Sequence, residues 1–176
     1  RSRYTGSMSE SDAAERARRA AGTNESLVQR DDGGYTVTTT VFDGSVEVGT
    51  DGNAAALTVT ATVPMLDAAT DDAVAPVVEE GWFDTFELRV ADVDGAIRGD
   101  DAAVSVRQVG DEAVVTAEVR DLDAARAVAD AVAVVEFVEG TYVEGIIPGY
   151  EYTGPVTRLI QRAADAAGGS KGGTPL

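Results

Sequence analysis

Apolar and polar side chains alternate along much of the first half of the chain, which is the pattern of half-buried β-strands. The alternation begins at Tyr35 and continues to Val63, and many of its members are β-branched Val and Thr. Turn-forming residues interrupt it at Asp43-Gly44 and at residues 50–53. The predicted strands are 35–42, 46–48 and 55–63. We therefore expect a meander of three antiparallel strands.

A helical period replaces this alternation after Pro76, in the stretch that contains the only Trp of the chain. Pro76 suits the first position of a helix. At about 100° per residue, the large apolar side chains of the stretch fall within one narrow arc. They are Val78, Trp82, Phe86, Val90 and Val93. Because a sheet built from small residues needs large partners, we predict that Trp82 and Phe86 anchor the core rather than line a site.

Two more strands and three more helices complete the predicted order. The strands lie at 104–106 and 113–119 and are joined at Gly110-Asp111. Asp121 is placed to cap a helix that is apolar on most sides and ends at Gly140. Amphipathic helices are predicted at 9–22 and at about 155–167. The order α-βββ-α-ββ-α predicts one α+β domain over residues 8–167, with a five-stranded antiparallel sheet, helices packed on one face and a C-terminal helical extension.

Neither end of the chain is expected to carry function. Residues 1–7, RSRYTGS, precede Met8 and are typical of an expression-vector remnant. Residues 168–176 are rich in Gly, and a segment of that composition is expected to form a flexible tail.

The net charge of the chain makes some classes of function and partner unfavourable. Thirty-one acidic residues against 14 basic ones give a net charge of −17. Such an excess repels itself at low salt and is screened at molar salt, which indicates a halophilic protein. Few cations remain to neutralise phosphates, so no nucleic-acid partner is expected. No apolar run approaches the roughly 20 residues that span a bilayer, so we expect a cytoplasmic protein with no membrane partner.

The chain contains no His and no Cys. These absences remove the commonest general base, the thiolate nucleophiles and the usual zinc and iron–sulfur ligands. The sequence also has no phosphate-binding Gly loop with Lys and no dinucleotide fingerprint. We therefore expect no catalytic residue, no cofactor and no small-molecule substrate.

One stretch partly matches a calcium-binding loop. Asp92 and Asp94 precede Gly95 at the right spacing, and Asp101 stands where the loop normally has a bidentate Glu. The first ligand position, however, is Val90, which the helical stripe places in the core. We therefore predict a solvated turn and no metal, with Asp92, Asp94 and Asp101 as the weak alternative.

Two Asp pairs offer a related alternative. Asp71-Asp72 and Asp100-Asp101 could share a magnesium ion or act as an acid and a base, because adjacent carboxylates perturb each other's protonation. Both pairs lie in segments that are typical of turns, where acidic residues are usually solvated. A carboxylate-dependent divalent-metal enzyme is therefore the second hypothesis for function.

The segment GTYVEGIIPGYEYTG, residues 140–154, is a better candidate for a functional surface. Binding residues are often found on loops, and large apolar side chains beside Gly form adaptable surfaces. The candidate interaction residues are Tyr142, Ile146, Ile147, Tyr150 and Tyr152. The alternative is that Ile146, Ile147 and Tyr150 close one end of the core.

Three segments carry a resemblance to a known family. They are DGGYTVTTTVFDGSVEV (32–48), VPMLDA (63–68) and VAPVVEEGWFDTFELRV (74–90). They resemble an uncharacterised haloarchaeal family of unknown function, which implies a halophilic origin and brings no catalytic residue. The element order over roughly residues 10–140 resembles the α/β fold of type III secretion chaperones and the related YbjN-type proteins. We therefore predict a noncatalytic binding or adaptor module, chaperone-like or self-associating, whose partner is a protein or a second copy.

Overall fold

The structure, a computed structural model, describes residues 4–100 and 102–171, with side chains over 10–100 and 102–168. In that part of the chain the helices are α1 (Tyr4–Thr23), α2 (Pro76–Val90), α3 (Ala124–Glu144) and α4 (Gly154–Lys171). The strands are β1 (Leu27–Gln29), β2 (Tyr35–Val37), β3 (Asp43–Asp51), β4 (Ala54–Pro64), β5 (Ala103–Val109) and β6 (Glu112–Asp121). Short 3-10 helices lie at Asp67–Ala69 and Val93–Ala96. The α+β class is confirmed.

The described strands form one antiparallel sheet in the order β1-β2-β3-β4-β6-β5. The sheet has six strands, so the prediction of five is wrong. The extra strand is β1, which has three residues and is too short to show a period of two. Its register places Leu27 opposite Val37 of β2.

The predicted strand 35–42 is divided in the structure. β2 ends at Val37, and residues 38–42 leave the sheet before β3 begins. A carboxylate on α3 holds this loop, because Glu139 accepts hydrogen bonds from the amides of Val41 (2.7 Å) and Phe42 (3.0 Å). These amides are satisfied without a neighbouring strand, so the loop can turn inward and bury Phe42.

Gly44 does not form the turn that the dipeptide Asp43-Gly44 predicts. It lies inside β3, opposite Ala61 of β4. A Cβ atom at Gly44 would stand 2.4 Å from Cγ1 of Val135, so the glycine lets α3 pack directly on the strand backbone. The turns predicted at Gly52 and Gly110 are confirmed, and both glycines have positive φ.

The helices cover one face of the sheet. α3 packs on β4 and β6, α1 packs on β3 and β4, and α2 contacts β5 and α3. Side chains on the covered face of β4 are buried, and they alternate with less buried ones on the other face. The buried set is Ala55, Leu57, Val59, Ala61 and Val63. This alternation is what a sheet with one packed face requires.

The predicted stripe of α2 is largely confirmed. Trp82, Phe86 and Val90 are buried, and Val93 is buried in the 3-10 helix that follows. Trp82 and Phe86 stack with ring centroids 5.6 Å apart. The edge of Tyr142 meets Trp82 at 5.5 Å, which joins α3 to this cluster. Such aromatic pairs add to the free energy of burial.

α3 differs from its prediction at both ends. Its N-cap is Asp123, which accepts a hydrogen bond from the amide of Arg126 (3.1 Å), so Asp121 is not the cap. The helix passes Gly140 and continues to Glu144. An interior Gly costs a helix about 1 kcal/mol relative to Ala, which the extensive burial of this helix outweighs.

The terminal helices are also longer than predicted. α1 begins at Tyr4, inside the segment 1–7 that the sequence assigns to a vector remnant. α4 begins at Gly154 and continues to Lys171, past the predicted end at residue 167. The rest of the predicted tail, residues 172–176, lies outside the described residues.

Candidate functional site

The structure distributes the five predicted interaction residues over two environments. Tyr142 is only 1% exposed and belongs to the core, so its place in the predicted surface is wrong. It lies in α3, where helical periodicity points it at the aromatic cluster. Ile146, Ile147, Tyr150 and Tyr152 are partly buried against the core. Of these four, Ile146 and Ile147 line a surface groove.

This groove, called the α2 groove below, lies between α2 and the segment that ends α3. Its cavity volume is about 360 Å³. Trp82 and Phe86 form its apolar floor. Its α2 wall is formed by Gly81, Thr85 and Arg89, and its opposite wall by Thr141, Glu144, Gly145, Ile146, Ile147 and Pro148.

The outer surface of α2 continues the groove beyond its wall. At 100° per residue, Val77 and Leu88 project close to Gly81, and both are 74% exposed. Two large apolar side chains therefore form a crest beside the groove. The next side chains around the helix are acidic and exposed: Glu80, Asp84 and Glu87.

Gly81 is the residue of the wall that packing within the chain explains least. It lies in the interior of α2, and a Cβ atom there would meet no heavy atom within 4 Å. A glycine at such a position costs the helix about 1 kcal/mol relative to Ala. The chain itself has no need for the missing side chain at this point, whereas a molecule seated in the groove would gain close access to the helix backbone.

The segment opposite α2 is held in place by backbone hydrogen bonds. The Tyr152 hydroxyl accepts from the amide of Ile147 (2.8 Å) and donates to the carbonyl of the same residue (3.1 Å). Burial raises the pKa of Tyr152 above its ordinary value, so the hydroxyl keeps its proton at neutral pH. Thr153 and Glu151 also form hydrogen bonds with residues 69–72, which precede α2 in the sequence. The wall is therefore preformed.

The floor of the groove also contains a free polar group. The indole N–H of Trp82 makes no hydrogen bond with any residue that the structure describes. A Cβ atom on Gly145 would lie 3.3 Å from the Trp82 nitrogen, so the glycine leaves this donor uncrowded. A ligand in the groove can therefore accept a hydrogen bond at the floor.

Two of the predicted carboxylate candidates have structural partners. Asp94 accepts from the amide of Ala102 (2.9 Å), and Asp72 accepts from the amide of Glu151 (2.7 Å). Asp92 precedes the second 3-10 helix without capping it, and Asp101 lies outside the described residues. Within residues 4–100 and 102–171 no three acidic side chains converge as a metal site would require.

Several groove residues were not predicted from the sequence, and two signals were available for them. One is an isolated Gly inside a helical pattern, Gly81. The other is the spacing of Val77 and Leu88, which lie eleven residues apart and therefore share one face outside the buried stripe. Arg89 and Glu144 carried no such signal, because charged residues are frequent throughout this chain.

A model of a family described as a family of unknown function (DUF5813) matches residues 22–162. The chain belongs to this family. The DUF5813 match contains all of α2 and the segment 141–148, so every residue of the α2 groove lies within it. No curated protein and no solved structure matches the chain. Among the described helices, none has the length and hydropathy needed to cross a membrane.

Proposed function

We propose that this chain is a noncatalytic adaptor that binds a segment of another protein in the α2 groove. One observation carries the proposal: an open apolar floor lies beside a helix crest that exposes Val77 and Leu88. Apolar side chains next to an apolar depression are typical of protein-binding surfaces, because a partner gains free energy by covering both. A small molecule confined to the depression would leave the crest uncovered.

The charges next to the crest favour a partner segment that carries basic residues. Glu144 is the one acidic side chain among the lining residues, and Glu80, Asp84 and Glu87 lie on α2 beyond the crest. Arg89 is the one cation among the lining residues. The excess negative charge therefore lies beyond the crest, where it attracts Lys and Arg of a segment that covers both groove and crest and disfavours acidic segments. The proposed occupant is therefore a polypeptide segment with bulky apolar side chains flanked by basic ones.

The polar groups of the floor support a polypeptide in particular. Every residue of a bound segment brings a backbone carbonyl, and the Trp82 indole can donate to one of them. The missing side chain at Gly81 lets a second backbone approach α2 closely. An apolar side chain of the segment would then fill the space over Phe86.

A role of this kind agrees with a chaperone-like adaptor in a halophilic cytoplasm. The net charge of −17 supports that setting, because molar salt screens the repulsion that such a charge creates. Screening also weakens the attraction of the acidic side chains of α2 for basic residues. In molar salt we therefore expect apolar contact to supply most of the affinity and charge to supply selectivity.

Selection from a displayed library of random peptides in molar KCl tests the proposal. We expect the enriched peptides to combine bulky apolar residues with Lys or Arg. Gly81→Leu should fill the groove, and Leu88→Asp should place a carboxylate on the crest, so each should weaken the selected peptides by about tenfold or more. Neither position is packed against the core, so both variants should fold.

The matched control is Leu122→Asp, which changes a Leu of similar exposure (71%) in the turn before α3. This variant should bind the selected peptides as the unmodified chain does. The proposal would be overturned by enriched peptides that are mainly acidic. It would also be overturned by peptides whose affinity is unchanged by both α2 substitutions.

A further inference from the structure

β5 offers a second surface, on another side of the molecule. It forms one edge of the sheet, and among the described strands it pairs with β6 alone. Alternate backbone groups of an edge strand point away from the sheet, where they can pair with a further strand. β5 has seven residues, whereas β1 at the other edge has three. Of the two edge strands, β5 therefore offers the longer backbone on which a further strand can pair.

The charge of β5 differs from that of the chain as a whole. Its sequence, AVSVRQV, has no acidic residue, and Arg107 is its one charged side chain. Among the other strands of the sheet, β6 and β3 carry acidic residues, whereas β1, β2 and β4 carry none. Two copies of a chain with a net charge of −17 repel each other, so they approach most easily through a surface without carboxylates.

We propose that two copies of the chain associate by antiparallel pairing of their β5 strands. The twofold axis passes through Val106, so that Val106 lies opposite Val106 of the second copy and Ser105 lies opposite Arg107 of the second copy. The two sheets become continuous. The helices of both copies then lie on the same side, because a twofold axis perpendicular to a sheet does not exchange its faces.

The side chains of β5 suit this register. Val104 and Val106 are partly buried on the helix-covered face, and a neighbouring strand would complete their burial. On the other face the two Arg107 side chains are diagonal neighbours about 7–8 Å apart. That separation exceeds the screening length of about 3 Å at molar salt, so their repulsion is small.

Charge substitutions at Ser105 test both the association and its register. Ser105→Glu places a carboxylate opposite Arg107 of the second copy, whereas Ser105→Arg places a like charge there. We expect the first to tighten the dimer and the second to weaken it, each by about two- to tenfold at moderate salt. A nonspecific effect of net charge has the opposite order, because Glu adds to the negative charge and Arg reduces it.

Ser45 provides the matched control. It lies on the same face and in the same cross-strand row as Ser105, through Thr60 and Thr116, but on β3 away from the edge. Ser45→Glu and Ser45→Arg should follow the net-charge order alone. Sedimentation equilibrium of the full chain over a concentration series measures each dissociation constant.

Three results would overturn the proposal. One is an unmodified chain that stays monomeric over the whole series. Another is a pair of Ser105 variants that follow the net-charge order. The third is a pair of Ser45 variants that reproduce the effects of the Ser105 pair, since the contact would then lie elsewhere.

Discussion

Asp130 and Glu139 lie on α3, and both are buried although α3 is largely apolar. Each carboxylate accepts hydrogen bonds from two successive backbone amides of a loop that packs on the helix. Asp130 holds residues 98 and 99, and Glu139 holds residues 41 and 42. A buried carboxylate is tolerated where several donors satisfy it. These two residues therefore attach loops to the central helix.

We predict that Asp130→Ala lowers the free energy of unfolding by about 2–4 kcal/mol, because it leaves two amides without a partner. Asp130 is 2% exposed, so water cannot readily replace it. The matched control is Asp92→Ala, whose exposed carboxylate caps nothing and should cost less than about 0.5 kcal/mol. Chemical denaturation in molar KCl measures both. Equal losses in the two variants would contradict the role given to Asp130.

The ion pair between Asp121 and Arg126 should make the stability of the fold depend on pH. Arg126 donates to both carboxylate oxygens of Asp121, at 2.5 and 2.9 Å, and these hydrogen bonds hold the pKa of Asp121 below its usual range. The folded pKa is depressed, so the stabilisation is present above the unfolded pKa of about 3.9 and is lost as the pH falls through the folded value. The stability difference between the unmodified chain and Asp121→Asn should therefore shrink between neutral pH and acid pH. A difference that stays constant in denaturation at both pH values would contradict this.

For Tyr142 we predict that a substitution raises the free energy of unfolding. Its hydroxyl is buried without a hydrogen-bond partner among the described residues, and burial raises its pKa so that it stays neutral. An unsatisfied buried hydroxyl is unfavourable, so Tyr142→Phe should raise the free energy of unfolding by about 1 kcal/mol while the ring contacts remain. Thermal and chemical melts measure the change. A loss of stability of similar size would show that the hydroxyl has a partner.

Individual residues were predictable where one pattern decided their environment. The helical stripe was enough to bury Trp82 and Phe86, because it depends only on spacing within one helix. Tyr142 was misplaced because the interior Gly140 looked like a helix end, whereas tertiary packing carries α3 past it. The buried state of Asp130 could not be predicted either. Its partners are amides that lie about thirty residues away along the chain.

At the scale of elements, the local sequence predicts a turn correctly where the turn joins two neighbouring strands. It predicts a turn wrongly where a distant element packs against the residue. Gly52 and Gly110 form the turns that their neighbours predict. Asp43-Gly44 carries the same local signal, but α3 packs against Gly44 and keeps it inside β3. The α2 groove follows the same rule. One wall was predictable from the period of α2, while the other depends on the tie between residues 145–153 and 69–72, which only the tertiary fold creates.

At the scale of the whole molecule, the net charge predicts the conditions under which the fold is most stable. The net charge of −17 repels itself within one compact body at low salt. We predict that the midpoint of thermal unfolding rises as KCl increases from about 0.1 M to 3 M, because the screening length falls from about 10 Å to about 3 Å. Melting curves measure the effect. A midpoint that is flat or falls with KCl would contradict the prediction of a halophilic protein.

Fluorescence of Trp82 reports most directly on whether the α2 groove binds an apolar and basic segment, because Trp82 is the only Trp of the chain and forms the groove floor. Three synthetic peptides are titrated into the full chain in molar KCl: one with bulky apolar residues flanked by Lys, one with each Lys replaced by Glu, and one with the apolar residues replaced by Ser. We predict that the first peptide alone gives a saturable change in emission and that Gly81→Leu weakens its binding by about tenfold or more. Emission that does not change with the first peptide, that changes equally with all three, or that changes to the same extent in Gly81→Leu would contradict binding in the groove.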